Sequence, residues 1–334
     1  MASLLEFQSL ERTYSSRQGP LHVLRDINFT LERGGILALV GESGCGKTTT
    51  GKIAAGLVAP SGGKVLFKGE DITNLKGKAL TRFRRSVQFI HQDPYSSLNP
   101  VRTIFQALAA PLQRFRLAKS RRELLDKVRE LLLMVDLTPP DAFLFKYPHQ
   151  LSGGQRQRVA VARALAVNPE FIVADESVSM VDVSIRTSLL NMLLKLNQEL
   201  GVAFLFITHD LAVARYFSWQ GKTAVMYLGR MVECGPTPEV TRHPTHPYTQ
   251  ALVASLPVAN PRLAREQALD DDIGSPDVPS LHKLPPGCAF HPRCPIHVAG
   301  SCDSEVPELA TVPQHGSEHQ VACPVVLSAG REVG

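Results

Sequence analysis

Gly41-Glu42-Ser43-Gly44-Cys45-Gly46-Lys47-Thr48 is the stretch of this chain whose residue types and spacing most directly specify chemistry. It fits the pattern G-x-x-x-x-G-K-[ST]. Glycines let a backbone wrap around an anion and aim N–H groups at its oxygens, at the start of a helix. Lys47 is placed to neutralise β- and γ-phosphates, Thr48 to offer its hydroxyl to magnesium, and Thr49 to extend the phosphate-binding set. Cys45 reads as a small packing residue inside the loop. Asp175-Glu176 forms a second reactive pair. A carboxylate at Asp175 can hold magnesium through water. Glu176 can orient or deprotonate an attacking water.

Chemistry of this kind needs elements to hold it. Gly35 to Val40 is an apolar run that ends in the glycine-rich loop, and it reads as a buried strand. The segment after the loop carries Ile53, Ala54 and Leu57 and reads as a helix. A glycine-rich turn with an incidental lysine is the competing reading, and the flanking strand and helix argue against it. Phe171–Ala174 and Val202–Ile207 are two more buried strands, ending in Asp175-Glu176 and Thr208-His209-Asp210. Polar groups at the carboxyl ends of parallel strands are where α/β folds place ligand sites. Residues from about 103 to 145 carry Glu123, Leu124, Leu125, Val128, Leu131 and Leu132 at helical spacing, which predicts a helical insert. After Gly235-Pro236 the texture becomes rich in proline and poor in periodicity, notably from Pro257 to Pro286. That predicts a separate loop-rich extension with little core of its own.

The 334 residues suffice for a large α/β core plus an extra segment, and 44% hydrophobic with 20% charged residues is ordinary globular composition. An excess of five positive charges is too small to imply a nucleic-acid partner. The N-terminus lacks a basic region followed by an apolar stretch, so no signal peptide is expected. No apolar run approaches the roughly 20 residues that span a bilayer. The reading is a cytoplasmic chain, and any membrane role must come through a partner. Cys288, Cys294, Cys302 and Cys323 crowd the C-terminal region, separated by five, seven and twenty residues. In a cytosolic chain such a cluster suggests metal before disulfide. Four thiolates suit iron–sulfur or zinc, and the spacing does not choose between them.

Leu151-Ser152-Gly153-Gly154-Gln155-Arg156-Gln157-Arg158 is a further helix start, with a serine cap and two glycines that could receive phosphate. This segment resembles the signature motif of ABC ATPases, and other positions follow in the family's order. Gln92 resembles the Q-loop glutamine, His209 the switch histidine, Asp182 the D-loop aspartate, and Tyr14 the aromatic residue that stacks on adenine. The resemblance covers residues 1 to about 235. It implies an ABC-type P-loop NTPase of α/β class, with a RecA-like core, an antiparallel β subdomain and a helical subdomain at about 95–160. Residues 236–334 would then form the C-terminal extension. It further implies ATP and magnesium as ligands, with magnesium held through Thr48, Gln92 and Asp175. Lys47, Glu176 and His209 would carry hydrolysis. Ser152, Gly153, Gly154 and Gln155 would cap the ATP of an opposite subunit.

Gln92 to Pro100, Tyr147-Pro148-His149-Gln150, His246-Pro247-Tyr248-Thr249 and the segment from Cys288 to Pro295 narrow the resemblance to the dipeptide/oligopeptide importer branch. Gln155 and Tyr95 resemble the second of its two paired ATPases, which implies a heterodimer serving two transmembrane permease subunits and, indirectly, an extracytoplasmic solute-binding protein. The expected location is the cytoplasmic face of the membrane, held peripherally. Cargo of that branch includes peptides, nickel chelates and oligosaccharides. The branch's cysteine pattern implies a four-iron, four-sulfur cluster at the four cysteines, with zinc or free thiols as the alternatives, and a metal clamp would supply folding energy to a coreless tail. The loop Gln92–Pro100 is expected to face the permease. Two positions depart from the branch: Ser177 stands for proline and Met180-Val181 for alanine-leucine. Two rival functions are a soluble ABC ATPase outside transport and a regulatory subunit without turnover. The single cassette, without a coiled-coil insert, opposes the first, and the retained Glu176 and His209 oppose the second.

Overall fold

In this computed structural model the residues described are 3–17, 19–93, 97–179, 181–256, 279–312 and 318–329. Pro94, Tyr95, Ser96, Met180 and the larger part of the Pro257–Pro286 stretch lie outside them. Strands β1 (Ser3–Ser16) and β2 (Gly19–Glu32) pair antiparallel, and β4 (Gly62–Phe67) and β5 (Glu70–Asp71) extend them into a four-stranded sheet ordered β2-β1-β4-β5. Leu5, Phe7, Ile27, Phe29 and Val65 are buried along one face of it.

The second sheet carries the functional residues. Strands β3 (Ile36–Val40), β7 (Phe171–Asp175) and β8 (Ala203–Thr208) are buried at every position. Such continuous apolar strands fit only a parallel sheet covered on both faces. With β6 (Val87–Ile90) and β9 (Lys222–Tyr227) they form the parallel run β9-β3-β8-β7-β6. At the β9 edge β10 (Arg230–Pro236), β12 (Gln320–Val321) and β11 (Ala310–Thr311) continue it antiparallel.

Where the periodicity predicts an insert, helices Ile104–Arg114, Arg121–Met134 and Asp141–Leu144 pack with the helix Gly153–Leu165. Thr103, Ser120 and Ser152 each cap a helix by accepting a backbone N–H three residues on, the role that short hydroxyl side chains fill at helix starts. Leu124, Val128, Leu131 and Leu132 are the buried face of Arg121–Met134.

The extension has more core than its proline-rich texture predicts. Tyr248, at the start of helix Pro247–Ala254, and Phe290 pack on Tyr227 of β9 with ring centroids 4.6 and 5.4 Å away. All three rings are almost fully buried, and burying one such ring contributes roughly 1.5–3 kcal/mol. Glu233 of β10 fastens the same region by polar contacts. Its carboxylate accepts the backbone N–H groups of Thr245 and His246 at 2.9 and 2.8 Å, and lies 2.7 Å from His319 Nε2. A buried carboxylate is tolerable only with this many partners. The apolar runs missing from the sequence are replaced by single aromatics that use the cassette's own strand as their second layer.

Candidate functional site: a phosphate-loop cleft

The phosphate loop leaves β3 under tight steric limits. A Cβ at Gly41 would sit 2.1 Å from the Met226 carbonyl oxygen, and one at Gly46 would sit 2.6 Å from Leu24 Cδ2. Gly46 also has φ 109°, in the left-handed half of backbone space. Helix Lys47–Ala54 begins directly after it. Lys47 is nearly buried and donates to the carbonyls of Gly41 and Glu42 at 2.7 and 2.8 Å. Cys45 is buried beside it, and burial pushes its thiol up in pKa while Lys47 opposes the shift. That agrees with a packing role.

Thr48 donates its hydroxyl to Asp175 Oδ1 at 3.1 Å. Asp175 ends β7 and is nearly buried. Burial pushes its carboxyl up, the Thr48 hydrogen bond opposes this, and the charge of Glu176 adds to it. A hydroxyl and a carboxylate facing each other at the loop are oxygen donors suited to magnesium. Glu176 follows with φ 44°, left-handed, its N–H held by the Ile207 carbonyl at 2.9 Å. That turn swings its carboxylate toward Gln92, whose Nε2 donates to Oε2 at 2.7 Å, and toward His209, whose Nδ1 lies 3.2 Å from Oε1.

A cleft of about 440 Å³ is lined by Ser43, Gly44, Gly46, Lys47, Thr48 and Thr49 of the loop, together with Gln92, Glu176, His209 and Val23. Residues from four strand ends therefore meet at one opening, at the carboxyl edge of the parallel sheet. Val23 is a lining residue that sequence reasoning missed, because an isolated valine in a strand carries no signal. Tyr14 lies on β1 under the Arg12 guanidinium, 4.3 Å from its ring centroid, and does not line the cleft. Nor do Ser152, Gly153, Gly154 or Gln155, which form a capping box at the start of helix Gly153–Leu165. Gly154 packs against Ile185, with a hypothetical Cβ 2.6 Å from that side chain. Asp182 precedes helix Val183–Leu200 and is exposed. Ser177 is buried, and its hydroxyl has no partner among the described residues.

Two family profiles match the chain: ABC transporter over residues 24–179, and oligopeptide/dipeptide transporter, C-terminal region, over residues 232–302. A probable peptide ABC transporter ATP-binding protein of Sinorhizobium fredii is 43% identical over 97% of this chain and 90% of its own length. The chain belongs to the ATP-binding proteins of ABC transporters. The oligopeptide transport ATP-binding protein AppF of Bacillus subtilis, in the same family, is 40% identical over 96% of this chain and 97% of its length. Among solved structures, the dimeric, post-hydrolysis ATP-binding cassette MJ0796 bound to ADP and Pi superposes with a TM-score of 0.62 at 32% identity, over 68% of this chain and 96% of that one. The cassette cbiO1 of Clostridium perfringens gives 0.65 at 25% identity, over 81% and 100%. As a member of this family the chain is an ATPase with the α/β cassette fold.

The four cysteines lie close together without forming a recognisable metal site. Cys288, Cys294, Cys302 and Cys323 do gather, since the Cys288 N–H donates to the Cys302 carbonyl at 2.8 Å and each of Cys288, Cys294 and Cys323 senses the charge of others in the set. Yet among the described residues no three His, Cys, Asp or Glu side chains form a group that could hold a metal ion. All four thiols are free. Burial pushes Cys288 up to about 11 and raises Cys294 and Cys323, and the charges of neighbouring thiols in the set add to each shift.

Proposed function

We propose that this chain powers an importer of peptides or related solutes by hydrolysing ATP as one half of an ATP-sandwiching dimer. The observation that carries the proposal is the convergence of Gln92, Glu176 and His209 on the opening that Lys47 and Thr48 line. In this reading Lys47 exchanges its two loop carbonyls for the β- and γ-phosphates. Magnesium, when bound by Thr48, Asp175 and Gln92, supplies charge neutralisation at the phosphates. Glu176 accepts a proton from the attacking water. His209 steadies the charge that develops, and Gln92 reports the γ-phosphate toward the membrane partner. Tyr14 stacks on adenine. Ser152, Gly153, Gly154 and Gln155 act in trans on the partner ATPase's nucleotide, and Asp182 links the two sites. Differential contact with ATP in the closed dimer couples binding to closure.

The names of the relatives and the C-terminal profile favour peptides as cargo, with oligosaccharides or nickel chelates as neighbouring possibilities. No helix among the described residues is long and apolar enough to cross a membrane, which fits peripheral attachment to two permease subunits at the cytoplasmic face. Val101 and Phe145, 78% and 73% exposed, favour the helical insert as the docking face, since large exposed apolar side chains mark contact surfaces. The Ile104 N–H to Lys146 carbonyl hydrogen bond holds their two segments together. We take residues 1–235 as the ATPase unit, with its helical subdomain at about 95–160, and 236–334 as the extension. The nearness of the four cysteines is the one feature favouring a four-iron or zinc centre, and iron, sulfide and zinc analysis of the purified chain decides it.

The test is uptake of a labelled oligopeptide into vesicles holding the chain with its paired ATPase, two permeases and solute-binding protein. ATP-dependent uptake that Lys47→Ala abolishes is the expected result. Hydrolysis by the native assembly with no peptide accumulated would move the cargo assignment elsewhere.

A further inference from the structure

Two residues of the extension reach the phosphate loop, both at Glu42. Arg293, in the turn His291–Arg293, places Nη1 3.2 Å from Glu42 Oε1 and 3.4 Å from Oε2, and 3.3 Å from the Tyr227 hydroxyl. Its side chain is 9% exposed against 30% for Glu42. Tyr248 engages the same loop residue through the backbone: its hydroxyl accepts the Glu42 N–H at 2.9 Å. The Glu42 carbonyl in turn accepts Lys47 Nζ. One loop residue is therefore gripped at its carboxylate, its N–H and its carbonyl, two of the three by residues more than 200 positions downstream.

Glu42 is an awkward residue for its place. A carboxylate inside a loop built to receive polyphosphate repels its own ligand. Arg293 cancels that charge from a nearly buried position, with a planar donor set suited to carboxylates. We propose that Arg293 is a positioning residue for ATP binding, neutralising Glu42 and, with Tyr248, fixing the phosphate loop, so that the C-terminal extension sets the cassette's affinity for nucleotide. The proposal rests on ATP occupying this loop.

Steady-state ATP hydrolysis by the assembled transporter tests it. Arg293→Ala leaves an uncompensated carboxylate in the phosphate loop, and at near-surface dielectric it should raise KM for ATP about threefold to tenfold. Because the lost interaction acts on binding, kcat should stay within about twofold. Adding Glu42→Gln to Arg293→Ala should bring KM back toward the native value, a rescue that loss of packing alone does not give. Native KM in Arg293→Ala overturns the proposal, and so does an elevated KM that Glu42→Gln leaves in place. If Arg293→Ala does not assemble, Arg293→Gln and Tyr248→Phe are measured instead, and native KM in both has the same meaning. A native assembly without ATP hydrolysis would defeat the underlying ATPase reading, whereas unaltered variants defeat only the role of Arg293.

Discussion

Around Lys47 the chain works with short polar contacts at an open cleft, while around Phe290 it works with buried rings and a carboxylate sealed from solvent. The first region holds each side chain by partners that a ligand can replace. Lys47 rests on two carbonyls of its own loop, and Glu176 rests on Gln92 and His209. The second holds its side chains by contacts with no such substitute. Chemistry that must exchange partners at every turnover is placed on the replaceable kind of contact, and the frame that keeps it aligned is placed on the other.

The sharpest test of this contrast is at Glu176. Glu176→Gln keeps the size and the hydrogen bond to Gln92 but removes the base, so kcat should fall by about 10²- to 10⁴-fold while ATP binding persists. Stability should barely change. Undiminished hydrolysis in that variant would remove Glu176 from the mechanism.

Phe290→Ala should behave in the opposite way. It deletes a fully buried ring from the Tyr227–Tyr248 cluster, at a cost of about 3–5 kcal/mol for a cavity of this kind. Thermal or denaturant unfolding should register the loss, with kcat per folded molecule little altered. A variant as stable as the native chain would mean that the extension is not held by its rings.

A smaller effect concerns pH. Burial pushes His246 down from 6.5 to about 4, with the Glu233 charge opposing the shift. Its neutral ring accepts the Tyr248 backbone N–H at 3.0 Å. The unfolded chain takes up this proton below about 6.5 and the folded chain does not until near 4, so the contribution is complete above 6.5 and is lost as pH falls through that window. The loss amounts to roughly 2–3 kcal/mol at the acid end. His246→Asn, which keeps an acceptor without a titrating ring, should flatten the fall in stability between pH 6.5 and 4. Identical slopes in the two proteins would assign the acid sensitivity to other groups.

The same contrast governs what could be read from the sequence. Gly41 to Thr49, Asp175-Glu176 and His209 were legible because phosphate chemistry imposes fixed residue types at fixed spacing, directly after strands of continuous apolar residues. The cassette's strands and helical insert followed from periodicity for the same reason. Arg293 and Tyr248 left no such trace: their partner, Glu42, lies more than 200 residues away, and one arginine beside a cysteine says nothing about what it will touch. The four cysteines were legible only as a group. Their gathering was readable, but the aromatic layer that also fastens this segment depends on Tyr227 of β9, a residue outside it.

The two-residue strand β12 has a consequence out of proportion to its length. By pairing Val321 and Gln320 with Glu233 and Cys234, it occupies hydrogen-bonding groups of β10 that would otherwise border water. An open strand margin is an invitation for another chain to stack there. With β11 paired outside it, β12 therefore forms part of a selvedge that guards β10 against intermolecular pairing. Shortening the chain after β10 would remove that border together with His319, baring both a strand margin and the buried Glu233, so a trimmed cassette should be harder to keep monodisperse than the intact chain.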